Sequence, residues 1–235
     1  MSINIFRFSS CRGINVNNIS MNFKFHNIKE ILFFLDLLDN KNKNNYIKNS
    51  LIENEDNLEE VINLLKKCDI IYVEISTLKY NKDEFGNIGQ IVRINNLIRN
   101  NIISKNHFKD CYYLDDDELL YDIKLLENKL NWAKIVYTGH ITLNMNSENK
   151  DFILSKIERE NETNLQQIEN KFNKIMESRR KINDFIIRYC KYYMIIEDVF
   201  KNYDCKEYLL DMVHYTEYGY KILHDKFQII LKQLS

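Results

Sequence analysis

Hydrophobic positions recur along this chain with two alternating periods. Ile3 to Phe8 (INIFRF) is a short β-type run that ends in the small polar stretch Ser9-Ser10-Cys11-Arg12-Gly13. Ile28, Ile31, Leu32, Leu35 and Leu38 then fall at helical spacing, with Asn27 placed to cap the helix. Residues 40–57 are polar and read as a loop, after which Asn57 opens a helix carrying Leu58, Val61, Ile62 and Leu65. Asp69 to Ile75 is a nearly continuous apolar run of strand length, as expected of a central parallel strand covered on both faces. Residues 79–113 read as an insertion with a helix near Ile88 to Arg99. Asp116 to Leu130 predicts a helix with acids in its first turn, where they suit the macrodipole. Ala133 to Thr138 is a second buried-type strand ending at Gly139-His140. A charged helical stretch from Glu148 to Tyr189, broken once, leads to Tyr192 to Ile196 as the last strand and Glu217 to Leu234 as the closing helix. Strands alternating with long helices predict an α/β fold: one domain over residues 1–235, built as a three-layer α/β/α sandwich on a mainly parallel sheet of about five strands.

Composition narrows the classes. With 45% hydrophobic and 29% charged residues in 235, the chain can bury a core and is not disordered. Charge is balanced, 33 Lys+Arg against 34 Asp+Glu, which argues against a nucleic-acid partner whose phosphates need a cationic excess. No apolar run approaches the ~18 residues of a membrane span, and the first strand begins too early for a signal peptide, so a cytoplasmic protein with no membrane partner is expected. Cys11, Cys68, Cys111, Cys190 and Cys205 are scattered and odd in number, as free thiols in a reducing compartment would be. Proline is absent and Ala133 is the one alanine. Average usage would give roughly a dozen prolines, so the bias points to an AT-rich genome rather than to structure. Metal-site spacings are absent, and neither a metal nor a cofactor is expected.

In open parallel sheets, ligands sit at the carboxyl ends of the strands. That rule singles out Ser9 to Gly13, Ser76 to Lys79 and Gly139 to Asn144. The sharpest local pattern is Asp211-Met212-Val213-His214. An Asp three residues ahead of a His can hold one ring nitrogen and leave the other to exchange a proton with a nucleophile. Ser10 is the obvious nucleophile, and Cys11 beside it is the alternative, since thiolates are intrinsically more nucleophilic. A chance pair at the start of the last helix is the plain reading of the same four residues. His140 either meets substrate at the end of its strand or is a structural histidine bonded to a loop carbonyl.

The order of these pieces resembles the SGNH (GDSL-like) hydrolase superfamily. Phe8-Ser9-Ser10-Cys11-Arg12-Gly13 is similar to a first block reading G-S-C, and Asp211 to Leu223 is similar to the family's last block, including the Gly five residues after the His. Cys68 to Lys79 is similar to the strand leading into the G-x-N-D block. The resemblance implies an SGNH/flavodoxin-like sheet with Ser10 as nucleophile, His214 as base and Asp211 orienting it. It also implies an esterase or O-acyltransferase that passes through an acyl-enzyme, acting on a small-molecule or glycan acyl ester. Where the family has the Gly and Asn of G-x-N-D, this chain has Ser76 and Leu78. Candidates for the missing oxyanion donor are the Ser10 and Cys11 N–H groups, the Ser76 or Thr77 hydroxyl, Arg12 and His140, with Thr77 preferred. The alternative is a non-catalytic ligand- or glycan-binding relative that kept the fold and lost the hole.

Overall fold

The computed structural model describes residues 3–10, 25–39, 58–82, 88–89, 110–144, 149–156, 165–212 and 214–234. Cys11, Arg12, Gly13 and the polar stretch 40–57 lie outside these. The described residues fall into two compact units, one up to Val136 and one from Tyr137 onward.

In chain order the first unit carries β1 (Ile5–Phe8), α1 (Ile28–Asp39), α2 (Leu58–Lys67), β2 (Ile70–Glu74), β3 (Lys79–Lys82), β4 (Ile88–Gly89), β5 (Asp110–Tyr113) and α3 (Asp116–Lys129). Then come β6 (Lys134–Thr138), α4 (Lys150–Lys156), α5 (Leu165–Tyr189), β7 (Tyr193–Met194), α6 (Ile196–Phe200), α7 (Cys205–Tyr208) and α8 (Glu217–Leu234). A four-stranded sheet has the hydrogen-bonded order β1-β2-β6-β7. β1 and β2 pair in parallel from Ile5↔Ile70 to Phe8↔Val73, and β6 and β7 pair in parallel through Tyr137↔Tyr193 and Thr138↔Met194. This is the α/β class that the alternation of elements predicts, with β2 inside the sheet and all five of its residues buried.

The first unit packs around an aromatic triangle. Phe8, Phe25 and Phe34 are fully buried with ring centroids 5.3 to 6.2 Å apart. α1 begins as its sequence predicts: Asn27 Oδ1 accepts the Glu30 N–H at 2.9 Å, and the Glu30 carboxylate accepts the His26 N–H at 2.7 Å. Ile28, Ile31, Leu32 and Leu35 line the buried face of that helix. α3 starts with a full capping box between Asp115 and Glu118, so the acidic cluster there closes a helix end.

Two expectations change. Lys79 to Lys82 is a strand that pairs antiparallel with both β4 and β5 in a separate three-stranded sheet, and Ile88-Gly89, where the sequence predicts the start of a helix reaching to Arg99, is strand β4 of it; residues 90–99 of that expected helix lie outside the described residues. Tyr80 stacks on Tyr112 at 5.5 Å across this pairing. Period-two alternation over four residues is too short to stand out beside a longer helical pattern. The last strand is also shorter than Tyr192 to Ile196, because Ile196 already begins α6. A five-residue apolar run fits a strand or a buried helical turn equally well.

Among the described residues, no helix is long and apolar enough to cross a membrane.

One buried charge ties α1 to α3. Asp122 is 1% exposed and accepts from Lys29 Nζ at 2.9 Å. Burial pushes its carboxyl above the ordinary range although Lys29 pulls the other way. A carboxyl raised on folding costs stability at pH values above its unfolded pKa, and that cost disappears as the pH falls and it protonates. Lys29→Met is therefore expected to destabilise the fold by about 3 kcal/mol near neutral pH. Urea unfolding should show that loss shrinking toward pH 4.

Candidate functional site

Ser10 and Glu74 belong to the first unit, and Asp211 and His214 to the second. In the first unit, Ser10 follows β1 directly and is 2% exposed, its hydroxyl donating to Glu74 Oε1 at 2.8 Å. Ser76 and Thr77 follow β2, and both turn their backbone N–H groups onto the His26 carbonyl, at 2.9 and 3.1 Å. The Ser76 hydroxyl donates to that same oxygen at 3.2 Å. The Thr77 hydroxyl accepts the Lys79 N–H at 3.0 Å and keeps a hydrogen to donate.

In the second unit, the segment from Tyr208 to Gly219 holds the Asp–His pair by several independent restraints. Asp211 accepts the His214 backbone N–H at 2.7 Å on one oxygen and faces ring Nδ1 at 2.8 Å with the other. A carboxylate shared this way restrains both the loop and the ring. Leu209 and Tyr215 form an antiparallel bridge, and the Leu210 N–H bonds the His214 carbonyl at 2.9 Å. Tyr215 is buried against Phe200, which itself lies flat on Tyr208 at 4.0 Å. Burial pushes the Tyr208 hydroxyl well above the usual phenol range, so it stays a neutral member of that stack.

Thr216 caps α8. Its Oγ1 accepts the Gly219 N–H at 3.0 Å and donates to the Glu207 carbonyl at 2.8 Å, while its N–H bonds the Tyr208 carbonyl. Gly219 is needed because a Cβ there would run into that same Tyr208 carbonyl oxygen. Gly139 has a parallel reason, since a Cβ would collide with the Asn183 side chain, whose Nδ2 donates to the His140 carbonyl at 3.1 Å. His140 is buried, with Nδ1 3.3 Å from the Ile141 carbonyl.

Arg179 and Glu74 had no role in the sequence reading. Arg179 lies on α5 and is 6% exposed, donating to the Ile141 carbonyl at 2.9 Å and the Met212 carbonyl at 3.2 Å. One guanidinium thus joins the loop after β6 to the loop that carries His214. The signal was available in principle: Ile168, Phe172, Met176, Arg179, Ile182 and Ile186 continue one buried helical stripe, and a cation inside such a stripe demands partners.

A cleft of about 820 Å³ opens in the second unit beside the residues that follow β6. Thr142, Asn144, Arg180, Glu197, Lys201 and Tyr208 are among its walls. Arg180 is held there by the Leu143 carbonyl at 3.3 Å and Asn144 Oδ1 at 2.9 Å. Burial raises the Glu197 carboxyl against the opposing pull of Asn183 and Arg180. Cys205, also on the wall, is pushed up by burial and sits 3.0 Å from Asn149 Oδ1, which makes it a weak nucleophile.

No protein-family model matches this chain, and no curated protein matches its sequence. Among solved structures it is similar to a chain described as a GDSL-like lipase from Parabacteroides merdae, at 14% identity over 96% of this chain and 93% of that one, TM-score 0.38. A variant of an acetyl-xylooligosaccharide esterase from a Geobacillus is similar at 11% identity over 96% and 92%, TM-score 0.36. An alpha/beta hydrolase enzyme from the Lake Arreo metagenome is similar at 9% identity over 77% of this chain and 66% of that one, just under two thirds of its length, TM-score 0.36. The fold assignment stands on the sheet itself.

Removing the Arg179 fork leaves the buried Ile141 carbonyl and the half-buried Met212 carbonyl without this donor. Arg179→Met should cost about 2 kcal/mol in urea unfolding. Gly219→Ala should cost about as much through overpacking, and the two costs should add only partly, because both act on the loop that carries His214.

Proposed function

We propose that this chain is a serine-dependent acyl-ester hydrolase or O-acyltransferase, with Ser10 as nucleophile, His214 as base and Asp211 orienting the ring. The observation that carries the reading is the Asp211 carboxylate, bonded at once to the ring and the backbone of His214 in a loop pinned by Arg179. That amount of restraint around one imidazole is what a proton shuttle requires. Convergence of Ser10 with His214 is part of the proposal.

In the first step, Ser10 Oγ forms a bond to the ester carbonyl carbon and its proton passes to His214 Nε2, while the carbonyl π pair moves onto oxygen. The C–O bond to the alcohol then breaks, and His214 returns the proton to the leaving alkoxide. Water, or a second hydroxyl in the transferase case, repeats the sequence in reverse on the acyl-enzyme. The cleft suits a hydrophilic ester, since its walls carry several charged and amide side chains.

Thr77 is the preferred side-chain donor to the oxyanion, since it stands where the resembling family has its G-x-N-D block and its hydroxyl hydrogen is available. The second reading, a binding protein without turnover, draws support from the Ser76 and Thr77 N–H groups, which are spent on the His26 carbonyl.

A fluorophosphonate probe separates the two. Covalent labelling that is lost in Ser10→Ala and retained in Cys11→Ala supports the hydrolase. No labelling and no turnover of 4-nitrophenyl acetate or acetylated sugars supports the binding protein. In an active protein, Thr77→Val should lower kcat about tenfold or more with little change in KM, as a contact made only in the transition state does. Unchanged kcat in both Thr77→Val and His140→Ala would move the oxyanion donor elsewhere.

A further inference from the structure

Three cations line the 820 Å³ cleft of the second unit: Arg180 on α5, Lys201 just after α6 and Lys206 on α7. None of the three is in an ion pair among the described residues. Arg180 is nevertheless held in place, because Nη2 donates to the Leu143 carbonyl at 3.3 Å and to Asn144 Oδ1 at 2.9 Å. Both acceptors are neutral. The guanidinium therefore keeps its charge, and the Nε hydrogen and the two Nη1 hydrogens are uncommitted. A side chain braced before its ligand arrives gives up little rotamer freedom on binding.

The two acids of the same walls are engaged in other contacts. Asp204 Oδ1 accepts the Lys206 N–H at 3.0 Å as the cap of α7. Glu197 Oε1 accepts from Asn183 Nδ2 at 3.2 Å, and burial, acting against the pull of Arg180, makes its carboxyl a reluctant anion. Ile141 to Asn144 enter the wall just past the carboxyl end of β6, the edge at which open parallel sheets place ligands.

We propose that this cleft is an anion-binding site: it takes an organic ligand bearing a carboxylate or phosphate group, which Arg180 holds. Lys201 and Lys206 add attraction at longer range. The cleft is of the size that encloses a small organic molecule, so the anionic group is one end of something larger. Thr142, Asn149 and Tyr203 offer hydroxyl and amide contacts to the neutral remainder. Joined to the hydrolase reading, the site means an ester that carries negative charge. That extension rests on the reading; the anion site does not.

Calorimetric titration at constant ionic strength tests the site without any turnover, using inorganic phosphate and acetate as the two probes. At least one is expected to bind saturably in the millimolar range. A phosphate preference assigns the ligand a phosphate group, and acetate bound as tightly assigns it a carboxylate. Arg180→Gln is expected to weaken binding about tenfold or more, and Lys201→Gln about threefold. Lys67→Gln, on α2 in the first unit, should change nothing. Heats that stay linear with both anions up to tens of millimolar overturn the proposal. Wild-type affinity in a folded Arg180→Gln overturns it as well, and so does an equal loss in Lys67→Gln, which marks general charge attraction. Should Arg180→Gln fail to fold, Lys201→Gln decides, since that exposed side chain holds no contact in the fold. A chain that no fluorophosphonate labels still passes or fails here, so the two readings fall separately.

Discussion

The parallel ladder between β1 and β2 is the constraint on which the first unit depends. Ile5↔Ile70 through Phe8↔Val73 brings together two segments that the sequence holds far apart, and both are buried nearly throughout. Parallel strands deliver their carboxyl ends to the same edge, so the polar residues that follow each strand become neighbours without any local sequence signal. Ser10 meets Glu74 for that reason. The aromatic triangle of Phe8, Phe25 and Phe34 fixes the same edge from beneath, and the His26 carbonyl closes it by accepting from Ser76 and Thr77.

The second unit solves a different problem. A loop bearing an aspartate and a histidine would ordinarily be mobile, and here it is held from two sides. The aromatic stack of Phe200, Tyr208 and Tyr215 supplies apolar contact on one side, and the Arg179 guanidinium gathers carbonyls on the other. Thr216 and Gly219 settle where α8 begins, so the residues before it have little freedom. Several of the acceptors that hold this loop are backbone carbonyls, which carry no residue signature.

That distinction decides what could be read in advance. The strand from Ile70 to Glu74, the cap at Asn27 and the closing helix from Glu217 are written in local pattern, and each is found where periodicity and capping chemistry place it. The short antiparallel pairing of Lys79 to Lys82 escaped, because four residues give too little alternation to register. The pairing of Asp211 with His214 could be foreseen as an i, i+3 contact. Arg179 and Glu74 could not, since each meets its partners through tertiary packing: the guanidinium bonds carbonyls 38 and 33 residues away, and the carboxylate a hydroxyl 64 residues away. The reach of the resemblance stops at the same boundary, covering blocks of sequence and saying nothing of what braces them.

The β1–β2 ladder also has a consequence for biosynthesis. The Asn4 N–H bonds the Asp69 carboxylate across 65 residues of chain, so β1 has no partner strand when it leaves the ribosome. At about 5–20 residues per second, roughly 3 to 13 seconds pass before β2 is available to pair with it. Through that interval an apolar segment, Ile5-Phe6-Arg7-Phe8, presents two unpaired edges, and Arg7 is the one charge within it that opposes association with other nascent chains. With no proline anywhere in the chain, slow X-Pro isomerisation adds nothing to the delay. The pace of translation, more than any local conformational barrier, sets how long this first strand waits.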